Sequence, residues 1–242
     1  MLVAAAVCPH PPLIVPELAG AASFELDDLR AACDSAIRSL AEARPDLLVV
    51  VGGAERSARH PADASGTMRP WGADVRVGAG EPVLPLSLTI GRWLVERTLA
   101  GVLPDLRFEA IAADASPGDC VALGREIARS ADRVALLAMG DGSARLTEKS
   151  PGYLHPLAAP YNRMLGDAMA SAEAGRLLEI DPAVAEELWV GGRAAFQVLA
   201  GAAEPVEGAR RATRRLGGSL YDDAPYGVGY FVARWLVEES KP

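Results

Sequence analysis

The sequence predicts an α/β fold, in which a mainly parallel sheet carries helices on both faces and ends in C-terminal antiparallel strands. Three observations point there. Leu2–Val7, Leu47–Val51 and Arg133–Met139 are short continuous apolar runs, the pattern of strands buried on both faces. Stretches with helical spacing of apolar residues alternate with them. The tail has a different character: Val206–Tyr221 and Gly227–Val237 read as two strands joined by the turn-rich Asp222-Asp223-Ala224-Pro225. No internal repeat or low-complexity linker interrupts the chain, so residues 1–242 are read as one domain.

The elements follow in order. Leu2–Val7 opens the sheet. Glu25–Ala43 is predicted helical, with Leu26, Leu29, Ala32, Cys33, Ala36, Ile37 and Leu40 on one stripe, Ser23 as the N-cap and Pro45 as the stop. Leu47–Val51 is the next strand, and Gly52–Gly66 is a polar loop. Thr67–Val77 reads as a short hairpin or excursion interrupted by Pro70, Trp71 and Gly72. Leu86–Ala100 is a helix with Pro85 near its start. Arg107–Ala112 is a strand, Asp119–Arg129 a helix after the Ser116-Pro117-Gly118 turn, and Arg133–Met139 another buried strand. Ala159–Ala172 and Ala183–Gly201 are helices, the second with a possible break at Gly191-Gly192.

Composition narrows the function classes. Hydrophobic residues make up 50%, enough for a sizeable core, and the charged fraction of 23% is ordinary for a globular chain. A formal net charge of −8 argues against a general nucleic-acid binder and fits contact with small molecules or protein partners. No apolar run reaches the span of a membrane helix, and Met1–Val7 is too short and lacks the basic leader of a signal peptide. Cys8, Cys33 and Cys120 are odd in number and widely spaced, giving neither a disulfide framework nor a CxxC site, so a cytoplasmic location is expected. The Trp71 region and the C-terminal strands offer a surface for a homo-oligomer.

In open α/β sheets ligands bind at the carboxyl ends of the strands. Three such ends carry polar or glycine-rich loops. The first is Cys8-Pro9-His10-Pro11-Pro12, which holds an imidazole between prolines where it could bind a metal or move a proton. The second is Gly52-Gly53-Ala54-Glu55-Arg56-Ser57, and the third Gly140-Asp141-Gly142-Ser143-Ala144-Arg145. Neither glycine loop matches a P-loop or a dinucleotide fingerprint, and each also reads as a tight turn needing positive φ. Asp141 could serve only its own loop. His60 and His155 read as solvated or structural loop residues. Cys8 is either a metal or thiolate partner of His10 or a small buried apolar residue. Arg210, Arg211, Arg214 and Arg215 form a basic cluster, either a solvated strand face or an attractor of an anionic ligand or acidic partner. No Gly-x-Ser-x-Gly elbow supports a triad hydrolase.

The stretch Ala4-Ala5-Ala6-Val7-Cys8-Pro9-His10-Pro11-Pro12-Leu13-Ile14-Val15-Pro16-Glu17 resembles the opening of the class III extradiol ring-cleavage dioxygenase superfamily, whose fold the Memo-like proteins share. Asp46–Gly53, Met139-Gly140-Asp141-Gly142-Ser143 and the glycine-containing Trp189–Gly201 fall in the matching order, and the chain looks closest to divergent actinobacterial-type members. The resemblance implies Fe(II) held by a first histidine, which matches His10. A second histidine ligand is replaced by Ala54, and the acid/base histidine by Ala144. The late carboxylate or cysteine ligand has only Glu186 and Glu187 near its place. One of four functional positions carries over, and a lone imidazole holds iron weakly.

Two functions follow as expectations. The first is a cytoplasmic small-ligand-binding or regulatory protein that needs no cofactor and reuses the old pocket, with His10, Glu55, Asp141 and Ser143 as polar groups around an apolar cavity. The second is an enzyme with a relocated site, His10 acting with Glu55 or Asp141, or with a metal recruited through Cys8 or His60.

Overall fold

The computed structural model describes residues 1–99, 104–204 and 213–239. Four parallel strands form the middle of a seven-stranded sheet: β1 (Leu2–Cys8), β2 (Leu47–Ala54), β6 (Asp105–Ala112) and β7 (Val134–Met139). The order across the sheet is β3-β6-β2-β7-β1-β9-β8, with β3 (Ala58–His60), β8 (Thr213–Asp223) and β9 (Tyr230–Glu239) joined antiparallel. A separate two-stranded ribbon pairs β4 (Gly66–Thr67) with β5 (Arg76–Val77). The predicted α/β class, the parallel centre and the C-terminal antiparallel strands are all present.

The continuous apolar runs are strands because both their faces are covered. Val49 and Val51 of β2 face one core with Leu136 and Ala138 of β7, while Leu48 and Val50 face the other with Ala135 and Leu137. The first face carries α4 (Pro117–Ala128), α5 (Ala158–Ala170), α6 (Ala174–Leu178), α7 (Pro182–Glu187) and α8 (Arg193–Ala202). The second carries α2 (Asp27–Glu42) and α3 (Leu86–Thr98), preceded by the single turn α1 (Pro16–Ala19). Helix α2 buries Leu29, Ala32, Cys33, Ala36, Ile37 and Leu40 of the stripe read from spacing, Leu26 being buried in the 3-10 segment before it, and Asp27 and Asp28 complement the dipole of its first turn.

Several boundaries differ from the sequence reading for local physical reasons. Ser23 does not cap α2. A 3-10 segment, Gly20–Leu26, intervenes, and the Ser23 carbonyl instead accepts from the buried Arg30 guanidinium. Strand β2 runs on through Gly52 and Gly53 to Ala54, and part of the expected loop pairs with β6 as β3. Gly52, Gly53, Gly140 and Gly142 all lie outside the positive-φ region, so the tight-turn explanation fails. Three of them are places of close approach. A Cβ on Gly52 would sit 2.5 Å from Ser87 Oγ, one on Gly140 2.6 Å from Gly192 Cα, and one on Gly142 2.2 Å from Asn162 Oδ1. The helix expected over Ala183–Gly201 is two helices separated by Leu188–Gly192, the break signalled by Gly191-Gly192. Helix α6 has no counterpart in the sequence reading. Arg210, Arg211, Ala100 and the opening of the Val206–Tyr221 segment lie outside the described residues. Among the described residues no helix is long and apolar enough to cross a membrane.

Helices α4 and α8 cross at glycine. A Cβ on Gly124 would lie 2.1 Å from the Val198 carbonyl oxygen, and one on Gly201 2.5 Å from that of Val121. This crossing seats the C-terminal part of α8 on α4, while at its entrance Gly192 and Phe196 lie against Gly140 at the end of β7.

Candidate functional site

Strand order brings the three expected loops together. Strand β7 lies between β1 and β2, so the loop after Met139 runs between the His10 loop and the Glu55 loop. The proline-flanked loop turns His10 toward Asp141. The His10 backbone N–H donates to Asp141 Oδ1 at 2.9 Å, and the ring Nδ1 stands 3.7 Å from the same oxygen. That second separation is too long for a hydrogen bond. His10 Nδ1 is buried and has no hydrogen-bond partner, so the imidazole keeps an unused polar atom beside a carboxylate.

The antiparallel register, with Val7 opposite Ala233, carries β9 back past the His10 loop to Tyr230. Tyr230 is buried. Burial first, and the Asp141 charge second, push its hydroxyl well above the ordinary tyrosine range, so it stays a neutral donor at physiological pH. Nothing in the sequence marked Tyr230, because its approach to Asp141 depends on the pairing of β9 with β1.

Ser143 has another role. It is fully buried, its hydroxyl donates to the Leu188 carbonyl at 2.6 Å, and it accepts the Arg145 N–H at 3.2 Å. Its backbone N–H donates to Asn162 Oδ1 at 3.1 Å. Glu55 is exposed beyond the end of β2 and makes no ion pair with a described residue. Cys8 is fully buried in the second core and is a packing residue there, next to Cys33, whose thiol burial pushes up. His60, on β3, pairs with Phe108 of β6, and His155 lies 3.1 Å from Glu187 Oε1 through Nε2.

A cavity of about 770 Å³ opens at the carboxyl ends of the parallel strands. Its walls come from the ends of β6 and β7, from α7 and from the entrance to α8, and its charged groups are Asp114, Asp141, Glu186 and Arg193. Asp141 therefore stands between His10 and the cavity. His10, Glu55 and Ser143 are not part of its wall. Arg193 is 5% exposed, and its guanidinium faces backbone: Nη1 donates to the Ala115 carbonyl at 2.5 Å and to Gln197 Oε1 at 3.2 Å, and Nη2 donates to the Ala113 carbonyl. It clasps the β6–α4 loop to α8.

Trp189 forms part of the cavity rim and is 54% exposed. Its φ of +53° is left-handed, a conformation that costs a side-chain-bearing residue roughly 1–2 kcal/mol. Its surroundings over-determine it. The Glu187 carbonyl accepts from Arg145 Nη1 at 2.8 Å, the Leu188 carbonyl from Ser143, and the Trp189 carbonyl from the Ala144 N–H at 3.2 Å. The Val190 N–H closes onto Ala185 at 2.8 Å. Strain of this kind persists only where neighbours hold it. The loop that carries Asp141 thus also sets the backbone of Trp189.

The donor set does not fit an iron centre. Among the described residues no three His, Cys, Asp or Glu side chains gather where a metal could be held. Ala54 and Ala144 offer no donor atom, leaving His10 and Asp141 as a pair where a facial site needs three protein ligands.

No protein-family model matches the sequence. No curated protein matches it either. Among solved structures the fold is similar to an uncharacterized protein from Escherichia coli K12, with a TM-score of 0.60 over 97% of this chain and 99% of that one. At 13% identity that likeness shows the fold alone.

Proposed function

We propose that this chain is a small-ligand-binding protein, a divergent descendant of the class III extradiol dioxygenase fold whose pocket works without the ring-cleavage centre. The observation that carries the reading is the cavity of about 770 Å³ at the carboxyl ends of the parallel strands, with Asp141 in its wall. Its size and position suit a small organic molecule, and its few polar groups suit orientation of that molecule. The Cys8–Pro12 motif supports the ancestry. Alanine at 54 and 144 supports loss of the ancestral chemistry, since a methyl group neither ligates iron nor moves a proton. A cytoplasmic location fits three buried, unpaired cysteines.

The test uses a side chain as a plug. Gly191 lines the cavity, and a Cβ there meets nothing nearer than 3.9 Å, so a side chain can leave the backbone at this point and Gly191→Phe is chosen to occupy the space. Small molecules detected by ligand-observed NMR with the wild-type protein should lose their signal with Gly191→Phe, at unchanged thermal stability. Hits that survive the plug place binding elsewhere and overturn the proposal. So does purified protein that carries one tightly bound iron per chain and takes up oxygen with catechols.

One observation favours a second reading, an enzyme with a relocated site. His10, Asp141 and Tyr230 gather an imidazole with an unpartnered Nδ1, a carboxylate and a neutral phenol, groups suited to moving a proton. On that reading a bound compound is consumed by the wild type and left intact by a folded His10→Ala variant. Turnover that survives the substitution refutes it.

A further inference from the structure

Deepening the cavity-binding reading, and resting on it, we propose that Trp189 is the recognition residue of the cavity and that the group it recognises is an organic cation, an amine or quaternary ammonium. Charge complementarity gives the sign. Three carboxylates, Asp114, Asp141 and Glu186, line the cavity against one cation, Arg193. The Arg193 guanidinium is spent on the carbonyls of Ala113 and Ala115 and on Gln197. Asp114 and Glu186 are exposed at the mouth and form no ion pair with a described residue. A chain with a net charge of −8 adds a field of the same sign.

The aromatic side supplies the second half of the argument. Trp189 gives up burial, at 54% exposure, to stand at the rim of this cavity. Gly152 packs on it: a Cβ there would come within 3.1 Å of Trp189 Cδ2. The Gly152 backbone thus lies against the indole at Cδ2, and the rest of the ring stays exposed at the mouth. An indole face is the strongest aromatic partner for a cation, and carboxylates beside it add to the attraction. An anionic ligand would instead meet three like charges. The arrangement also gives Ser143 and Arg145 their work, since they hold the carbonyls of Leu188 and Glu187 and so aim Trp189.

The experiment compares choline with its uncharged carbon isostere, 3,3-dimethylbutan-1-ol, and with the anion 3,3-dimethylbutanoate, by calorimetry and by Trp fluorescence on the full chain. Choline should bind severalfold more tightly than the alcohol, the anion should bind least, and added salt should weaken choline alone. Trp189→Ala should reduce choline affinity about tenfold, with Trp189→Phe retaining most of it. Glu186→Gln, an exposed change that leaves the fold intact, should cost choline roughly threefold and leave the alcohol unaffected. Equal or tighter binding of the alcohol, an unchanged choline preference in Trp189→Ala, an unchanged preference in Glu186→Gln, or binding of none of the three probes overturns the inference. The cavity reading is judged separately: hits from the NMR screen that disappear with Gly191→Phe uphold it even when choline fails.

Discussion

Replacing Gly124 by alanine should destabilise the protein although alanine is the better helix former. In an exposed helix the substitution would gain about 1 kcal/mol. Here the added Cβ would stand 2.1 Å from the Val198 carbonyl oxygen and 2.5 Å from the Ala202 nitrogen, both backbone atoms that cannot rotate away. Non-bonded heavy atoms settle near ~3.5 Å, so α4 and α8 must part by more than about 1 Å. Overpacking of this kind costs up to ~3 kcal/mol. Set against the gain in propensity, the net loss is about 2 kcal/mol, which lowers the Tm of a domain this size by roughly 4–8 °C. Gly201→Ala meets the Val121 carbonyl at 2.5 Å from the other side of the same crossing. One opening accommodates both methyl groups, so the double variant should lose at least ~0.5 kcal/mol less than the sum of the singles. Urea denaturation followed by circular dichroism measures all three. A Gly124→Ala variant as stable as the wild type, or strict additivity, would refute the close crossing of α4 and α8.

Ser143→Ala should cost about 1–3 kcal/mol, because it strands the buried Leu188 carbonyl, and should also weaken ligand binding through Trp189. Glu55→Ala, at an exposed position, should lie within ~0.5 kcal/mol of wild type by the same denaturation assay and leave binding unchanged. Burial holds the Tyr161, Tyr221 and Tyr230 hydroxyls above the tyrosine range. The unfolded chain therefore gives up these protons first. Stability is fully present below the unfolded tyrosine pKa of about 10 and falls as pH rises beyond it. Denaturation midpoints across the alkaline range should show that fall, and Tyr230→Phe should make it shallower; a profile identical to wild type refutes Tyr230's part in it.

The fold was legible in the sequence where periodicity and position agree. Continuous runs such as Leu47–Val51 have no polar face, so they can only lie between two helical layers, and the Gly191-Gly192 pair marked the break before α8. The Gly52 and Gly140 reading failed because sequence shows that a side chain is missing and not what approaches in its place; Ser87 and Phe196 are neighbours only in the fold. The site divides in the same way. His10 and Asp141 were legible because each follows a strand directly, and adjacent strands join them. Ser143 shared that loop, yet its hydroxyl turns inward to Leu188, an orientation no spacing reveals. Trp189 and Arg193 line the cavity from beyond the strand ends. Their available signals were a large aromatic beside a helix break and a lone arginine opening a helix whose only other polar side chain is Gln197.

The most direct test of the central claim, a ligand cavity that has outlived its metal centre, is anaerobic calorimetric titration of the purified protein with Fe(II), followed by metal analysis after desalting. With no group of three donors among the described residues, only His10 and Asp141 together at this end of the strands, and alanine at 54 and 144, we expect no saturable tight site and no iron retained. One equivalent of iron bound tightly and kept through desalting, lost in His10→Ala, would contradict the account.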